Sequence, residues 1–221
     1  MVRVIEIHEN VLAKNEEKAE KTRAFLKEKG VLLLNVMSSP GSGKTTALTA
    51  IINKMKSEYK IGEMDVDIQS DLDAKKVADA TGIECLQIHN GGLCHIDADM
   101  TDRALTEYSK DKNLEDFDIL FLENIGNLVC PAEFDTGAHK NIMFLSVPEG
   151  DDKPLKYPLM FSVCDLVIIS KIDTLPYFDF DIEKAKEHIK KLNKNAEILL
   201  MSAKTGEGVD DVCKWIKNNL V

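Results

Sequence analysis

The sequence has no surplus of basic residues: 28 lysines and arginines stand against 38 aspartates and glutamates, a formal charge of −10. A broad nucleic-acid surface needs a basic footprint, and so does binding to an anionic membrane surface, so neither is an expected partner. No apolar run reaches the roughly 20 residues of a membrane-spanning helix. The first residues meet charge at Arg3 and Glu6, unlike a secretory leader, and the expected compartment is the cytoplasm. An even cysteine count is also missing. The five, Cys85, Cys94, Cys130, Cys164 and Cys213, in a chain of 221 residues do not form the pattern of a disulfide scaffold. They are left for packing, catalysis or metal binding. Internal repeats, low-complexity tracts and Pro- or Gly-rich linkers are absent, which leaves a single domain.

What is present is an alternation. From about residue 10 to 29 a charged stretch carries Val11, Leu12, Ala19, Phe25 and Leu26, the mark of an amphipathic helix, ended by Gly30. Short apolar runs then recur at 31–37, 61–66, 83–88, 119–122, 141–147, 166–170 and 197–201, several of them continuous, as in strands buried on both faces. Helical stretches lie near 44–57, 71–80, 96–110, 181–193 and 209–220. Strand–helix alternation predicts an α/β fold, a mostly parallel central sheet of about seven strands with helices on both faces. Residues 1–30 form a helical extension and 31–221 the main domain.

The strongest motif is Ser38-Ser39-Pro40-Gly41-Ser42-Gly43-Lys44-Thr45, between an apolar strand and a helix. Gly41 and Gly43 let the backbone turn its N–H groups onto phosphate oxygens, and the helix that follows offers its positive end, with Thr46 in its first turn. Lys44 neutralises the β- and γ-phosphates and the Thr45 hydroxyl binds Mg²⁺. This is a P-loop with Ser38 in place of the usual first glycine. Ser170-Lys171-Ile172-Asp173 resembles the Asn-Lys-x-Asp guanine motif, Ser170 replacing Asn; Asp173 can accept from both guanine N–H groups, a pair that adenine does not offer. Ser202-Ala203-Lys204 resembles the loop that completes many GTPase base pockets. Glu123 and Gly126, in Glu123-Asn124-Ile125-Gly126, stand where an acidic residue near the metal and a γ-phosphate-sensing glycine are needed. Asp67 is the second candidate for Mg²⁺; Asp65 and Asp73 are weaker competitors.

A second constellation is Cys94 and His95, in the loop after the third strand, with Cys130 just beyond Gly126. Thiolate and imidazole together suit Zn²⁺ or Ni²⁺, although buried cysteines are commonly only small hydrophobes. Three ligands leave a tetrahedral site open, to be closed by water or by a second set in a symmetric dimer. Cys85, Cys164 and Cys213 read as structural. His139 reads as a surface histidine, and His8, His89 and His188 sit in no constellation.

Taken together, residues 38–45, 92–95, 123–131, 148–152 and 170–173 resemble the HypB family, GTPases that help insert nickel into [NiFe]-hydrogenase. The likeness covers nearly the whole chain from Gly30 onward; Glu123-Asn124-Ile125-Gly126-Asn127-Leu128-Val129-Cys130-Pro131 is its most specific segment. The Cys-Pro-His metal motif of the related urease accessory GTPases is not found. The resemblance implies a slow GTPase that binds GTP or GDP with Mg²⁺. It implies a nucleotide-dependent homodimer with a Ni²⁺ or Zn²⁺ site at its interface, ligated by Cys94, His95 and Cys130. Its implied partners are the small zinc-containing chaperone HypA and the hydrogenase large-subunit precursor. Lys153 and Lys156 are implied to reach the partner's nucleotide. The family's Gly-Asp after the second strand is Val66-Asp67 here. No Cys-rich nickel motif or His-rich tract accompanies the chain, so the interface site is the one nickel site expected.

The reaction expected is attack of water on the γ-phosphate of GTP, with catalysis by positioning and charge. No general base stands out. Two other readings are a small-molecule kinase on the same scaffold, against which Ser170–Asp173 argues, and a metal-storage or scaffold protein that binds nucleotide without turnover.

Overall fold

Seven strands follow the apolar runs: β1 (Leu32–Ser38), β2 (Ile61–Asp67), β3 (Glu84–His89), β4 (Ile119–Glu123), β5 (Lys140–Ser146), β6 (Leu166–Ser170) and β7 (Glu197–Met201). The computed structural model describes residues 7–68, 70–110 and 113–221, with side chains from residue 12 onward; the leader reading of residues 1–6 lies outside the described residues, and the readings of His8 and Val11 fall on side chains outside those described. The sheet order is β3-β2-β4-β1-β5-β6-β7, and every pairing is parallel. Inner strands such as β1 and β6 are buried along their whole length, which is why they read as continuous apolar runs. The chain steps from β1 toward one edge, then returns across it to β5 and runs to the other edge. The crevice at the carboxyl ends of the strands beside β1 is therefore the place for a ligand.

Helices cover both faces. On one, α2 (Lys44–Met55), α3 (Leu72–Thr81) and α9 (Val209–Asn218) pack Leu48, Val77 and Trp215 on Leu34, Phe121 and Ile168. On the other face two clusters lie side by side. α1 (Ile7–Glu28) and α4 (Ala98–Tyr108) cover Leu33, Met64 and Leu120. The short helices α5 (Cys130–Glu133) and α7 (Pro158–Ser162), with α8 (Ile182–Leu192), cover Met37, Met143 and Val167. The remaining short helix, α6 (Lys153–Lys156), follows a 3₁₀ turn at Val147–Glu149. Among the described residues no helix is long and apolar enough to cross a membrane.

Caps move the helix ends inward from the apolar pattern. The Asp97 carboxylate accepts from the Met100 N–H, so α4 starts at Ala98, and Asp181 does the same for α8 through Lys184. In α1 the buried stripe is Asn15, Ala19, Thr22 and Leu26. Phe25, expected on the apolar face, is 43% exposed, with the Lys29 ammonium over its ring. The stripe is small and polar because the helix approaches backbone closely: a β-carbon on Gly137 would press on Thr22.

The loop after β7 is held by a backbone approach that only glycine permits. Gly208 (φ 75°) starts α9, and a β-carbon there would overlap the Leu200 carbonyl oxygen. Ser202 N–H bonds to Glu207 O and Gly206 N–H to Ser202 O, both at 2.9 Å, closing the turn that presents Ser202-Ala203-Lys204. Gly208→Ala is expected to lower the melting temperature by roughly 5 °C or more, from about 1–3 kcal/mol of left-handed strain and the added overlap. Circular dichroism reads the outcome, and an unchanged melting curve would mean that the turn relaxes freely.

Candidate functional site

The loop from Ser38 to Gly43 leaves the carboxyl end of β1 and enters α2. Ser38 is buried at the strand end and its hydroxyl donates to the Ser39 carbonyl. It is not among the residues of positive φ, so this position takes a side chain where the motif usually has glycine. Gly41 (φ 74°) and Gly43 (φ 89°) do carry the left-handed turns. Gly43 caps α2 with no side chain on the free N–H groups, which leaves them to an anion.

Lys44 and Thr45 converge on one carboxylate oxygen. The Lys44 ammonium and the Thr45 hydroxyl each donate to Glu123 Oε1 at 2.8 Å, and Lys44 also donates to the Asn124 carbonyl at 2.9 Å. The other oxygen, Glu123 Oε2, is buried without a partner, as is Asp65 Oδ2. Asp65 stands opposite Glu123 in the β2–β4 register. Burial, then the Glu123 charge, lifts its carboxyl to about 7; behind it, burial and Glu123 lift Glu63 to about 9. Cys85 donates to Glu63 Oε2 at 3.1 Å. One ammonium thus faces several buried carboxyls, an imbalance that a hard divalent cation or protons must relieve. The Thr45 hydroxyl with the Glu123 and Asp65 oxygens is a donor set that fits Mg²⁺. Asp67 ends β2 and accepts from the Ser70 N–H at 2.7 Å. Asp65, ranked lower on sequence, is the residue brought to Glu123. Glu63, Asp65 and Asp67 alternate with Met64 and Val66 along one strand, so the sequence puts all three on one face without fixing which stands opposite Glu123.

A cleft of about 1360 Å³ opens here, lined by Ser39 through Thr46, Asp65, Asp67, Glu123 and Gly126 and continuing along α3. Gly126 lies against the loop itself: a β-carbon there would stand 3.1 Å from Pro40 backbone atoms. Ser39 is tied to Glu149 by a close hydroxyl–carboxylate bond, and the Lys153 ammonium is 3.8 Å from the same carboxylate. The base-side residues flank the loop rather than line the cleft. Lys171, the one non-glycine residue of positive φ (58°) among the described residues, crosses the loop to donate to the Gly41 carbonyl at 2.7 Å. Ser170 donates to the Ser42 carbonyl at 3.2 Å. Asp173 accepts from Ser202 at 2.6 Å and lies 3.9 Å from the Lys204 ammonium; Ala203 sits between those two in the same turn.

The cysteine loops meet. The Cys94 and Cys130 sulfurs are 2.8 Å apart, and Asn127 Nδ2 donates to the Cys94 carbonyl at 3.2 Å. The bond to Cys130, then burial, raises the Cys94 thiol. His95 Nδ1 is 3.8 Å from Cys94 Sγ, while its ring stacks on Phe134 at 3.9 Å. Among the described residues no three His, Cys, Asp or Glu side chains converge as a metal-holding group. Sulfurs on one tetrahedral Zn²⁺ are about 3.8 Å apart, given Zn–S bonds near 2.3 Å, so this pair would open by about 1 Å to share a cation. Cys164 and Cys213 are buried and Cys85 is half-buried. His139, read as a surface residue, is half-buried and accepts from the Leu33 N–H at 3.1 Å. His188 is also buried, its Nδ1 on the Asp151 carbonyl.

Residues 32–200 match the family described as CobW/HypB/UreG, nucleotide-binding domain. The chain is 43% identical over 215 residues to the hydrogenase maturation factor HypB of Escherichia coli K12, covering 97% of this chain and 72% of that one. It is 37% identical over 220 residues to the probable hydrogenase maturation factor HypB of Methanocaldococcus jannaschii, covering 100% and 97%. Its fold superposes on the crystal structure of HypB from Helicobacter pylori in complex with nickel with a TM-score of 0.87, at 41% identity and with 93% and 94% of the two chains covered. A parallel sheet, a glycine-turned phosphate loop and these likenesses agree, and the chain belongs to the CobW/HypB/UreG nucleotide-binding family, among its HypB proteins.

Proposed function

We propose that this chain is a slow GTP hydrolase whose nucleotide state controls a nickel-carrying cysteine pair during maturation of a [NiFe]-hydrogenase. The observation that carries the reading is one continuous segment. It begins at Glu123 and Asn124, which hold Lys44, passes Gly126 against Pro40, and reaches Asn127 and Cys130, which touch Cys94. A group arriving at the phosphate loop is thus a few residues of chain from the two sulfurs.

In the proposed reaction the N–H groups of Gly41 to Thr46 and the Lys44 ammonium bind the β- and γ-phosphates and draw off their charge as water attacks in line. To reach the phosphates Lys44 gives up part of its hold on Glu123 and the Asn124 carbonyl. Mg²⁺, held by Thr45 and Glu123 with Asp67 or Asp65, supplies further charge neutralisation when bound. Lys171 stacks its stem beside the loop, and Asp173, oriented by Ser202 and flanked by Ala203 and Lys204, selects guanine.

Nickel is the cargo in this reading. Soft thiolates favour it and Zn²⁺ alike, and Cys94, Cys130 and His95 supply fewer ligands than a closed shell needs. A second copy of the chain completes the shell in a nucleotide-dependent homodimer, with Lys153 free to reach toward the partner's nucleotide once it leaves Glu149. The described part of the 1–30 extension, α1, packs on the 31–221 GTPase domain. The setting is cytoplasmic; a HypA-like chaperone supplies the metal and the hydrogenase large-subunit precursor receives it.

Lys44→Ala is expected to lose phosphate release from GTP by at least about 100-fold while retaining the metal; release at the wild-type rate would sink the hydrolase reading. Cys94→Ala is expected to lose Ni²⁺ binding, followed by the thiolate charge-transfer absorption, with GDP binding near normal. Normal metal binding in that variant would remove Cys94 from the ligand set. Light scattering with GDP or a non-hydrolysable GTP analogue, each with and without Ni²⁺, is expected to find the dimer favoured by the triphosphate; a monomer in all four conditions would overturn the shared-site model.

A further inference from the structure

Three asparagine side chains cross the sheet beneath the site in a single hydrogen-bonded line. Asn124 Nδ2 donates to Asn35 Oδ1 at 3.0 Å, Asn35 Nδ2 donates to Asn141 Oδ1 at 2.9 Å, and Asn141 Nδ2 donates to the Val163 carbonyl at 3.1 Å. The line runs from the end of β4 through β1 to β5, and ends just after α7. Asn124 and Asn35 are 0% and 2% exposed. Their faces are fixed by strand alternation. Asn35 lies between Leu34 and Val36, which point to α2, so it points the other way, to the seam between the two apolar clusters.

Amides in such a seam cost about 1–3 kcal/mol each when left unpaired, and packing alone would favour leucine or methionine there. Here each of the three Nδ2 groups hands one N–H on to the next acceptor, all in one direction. The upper end of the line has a specific object. Asn124 Oδ1 accepts from the Ile125 N–H at 2.9 Å, and the Asn124 N–H donates to the Val36 carbonyl at 2.9 Å. The Asn124–Ile125 peptide is therefore held through its own N–H and by the N–H of the peptide before it, and its carbonyl is the one that receives the Lys44 ammonium. Two residues on, Gly126 meets Pro40.

We infer that this amide line positions the phosphate-sensing peptide, with Asn35 as its central positioning residue: it sets where the Asn124 carbonyl and Gly126 stand relative to Lys44 and Pro40. The inference rests on the GTP-hydrolysis reading above and adds to it the residues that keep the γ-phosphate end of the site in register. Neither Asn35 nor Asn141 lines the cleft, so their action is through Asn124.

The test uses the full chain with three variants, Asn35→Ala, Asn124→Ala and Asn141→Ala. Steady-state GTP hydrolysis is measured together with hydrogen exchange of the 123–127 backbone in the nucleotide-free protein. Asn35→Ala and Asn124→Ala are expected to lower kcat by about 10- to 100-fold, the penalty of a misplaced group, with KM for GTP and Kd for GDP within about twofold. Both are expected to speed exchange at 123–127. Asn141→Ala, at the far end, is expected to have the same effects at smaller size. Asn124→Ala keeps the backbone carbonyl and carries the test if Asn35→Ala does not fold. A fall in melting temperature with kcat and 123–127 exchange unchanged would mean that the line is only structural, and would overturn the inference. If the wild type releases no phosphate from GTP, the hydrolase reading fails by itself; faster 123–127 exchange in the variants would still sustain the positioning role, and unchanged exchange would end it.

Discussion

A lysine ammonium held out of water is the constraint on which the site depends. The Lys44 side chain is 12% exposed and its partner Glu123 1%. Removing one partner of a buried pair generally costs about 3–5 kcal/mol. The arrangement needs β1 and β4 as neighbours, so that the strand leading into the loop and the strand bearing Glu123 end side by side. It needs α2 to begin within reach of both, which the left-handed Gly43 allows. It also needs the peptide after Glu123 to turn its carbonyl inward. Sheet order, glycine placement and the amide line all meet at that one ammonium.

The same pocket is short of positive charge. Glu63, Asp65 and Glu123 stand on the α2 face of β2 and β4, and of the three Lys44 is paired to Glu123. Each of the three has one buried oxygen without a partner, and Asp65 and Glu123 line the cleft that holds the phosphate loop. A nucleotide would add negative charge, which protons on the raised Asp65 and Glu63 carboxyls or a divalent cation would offset. On the cysteine side the donors are soft sulfur and the loops exposed. A hard oxygen set and a soft sulfur set thus stand on either side of Gly126.

Strands whose apolar runs are uninterrupted were legible end to end: the runs at 166–170 and 197–201 match β6 and β7 residue for residue. Helix starts shifted inward where a side chain caps, as Asp97 and Asp181 do, because both were counted as helical in the apolar pattern. The short helices α5, α6 and α7 gave no sign, because four or five residues around Pro131, Pro154 and Pro158 are too few to show a helical period. At the site, the glycine loop, Glu123 and the meeting of Cys94 with Cys130 could be read from motifs and from which strand end each follows. The partner of Glu123 could not be settled that way: strand register, invisible in the sequence, puts Asp65 and not Asp67 opposite it. The asparagine line was hidden for the same reason, since residues 35, 124 and 141 are brought together only by strand order.

Asn15 of α1 has its own consequence. It is buried, its Nδ2 donating to the Asp135 carbonyl at 2.8 Å and its Oδ1 accepting from the Ala98 N–H at 2.9 Å. Ala98 follows the Cys94–His95 loop and Asp135 follows the helix that begins at Cys130, and Arg23 Nη2 donates to both oxygens of the Asp135 carboxylate. One side chain of the first helix therefore pins the roots of both sulfur-bearing loops. Mechanically the helix is a handle: a load applied to it arrives at both hinges together, and the gap between the sulfurs is the part left to give.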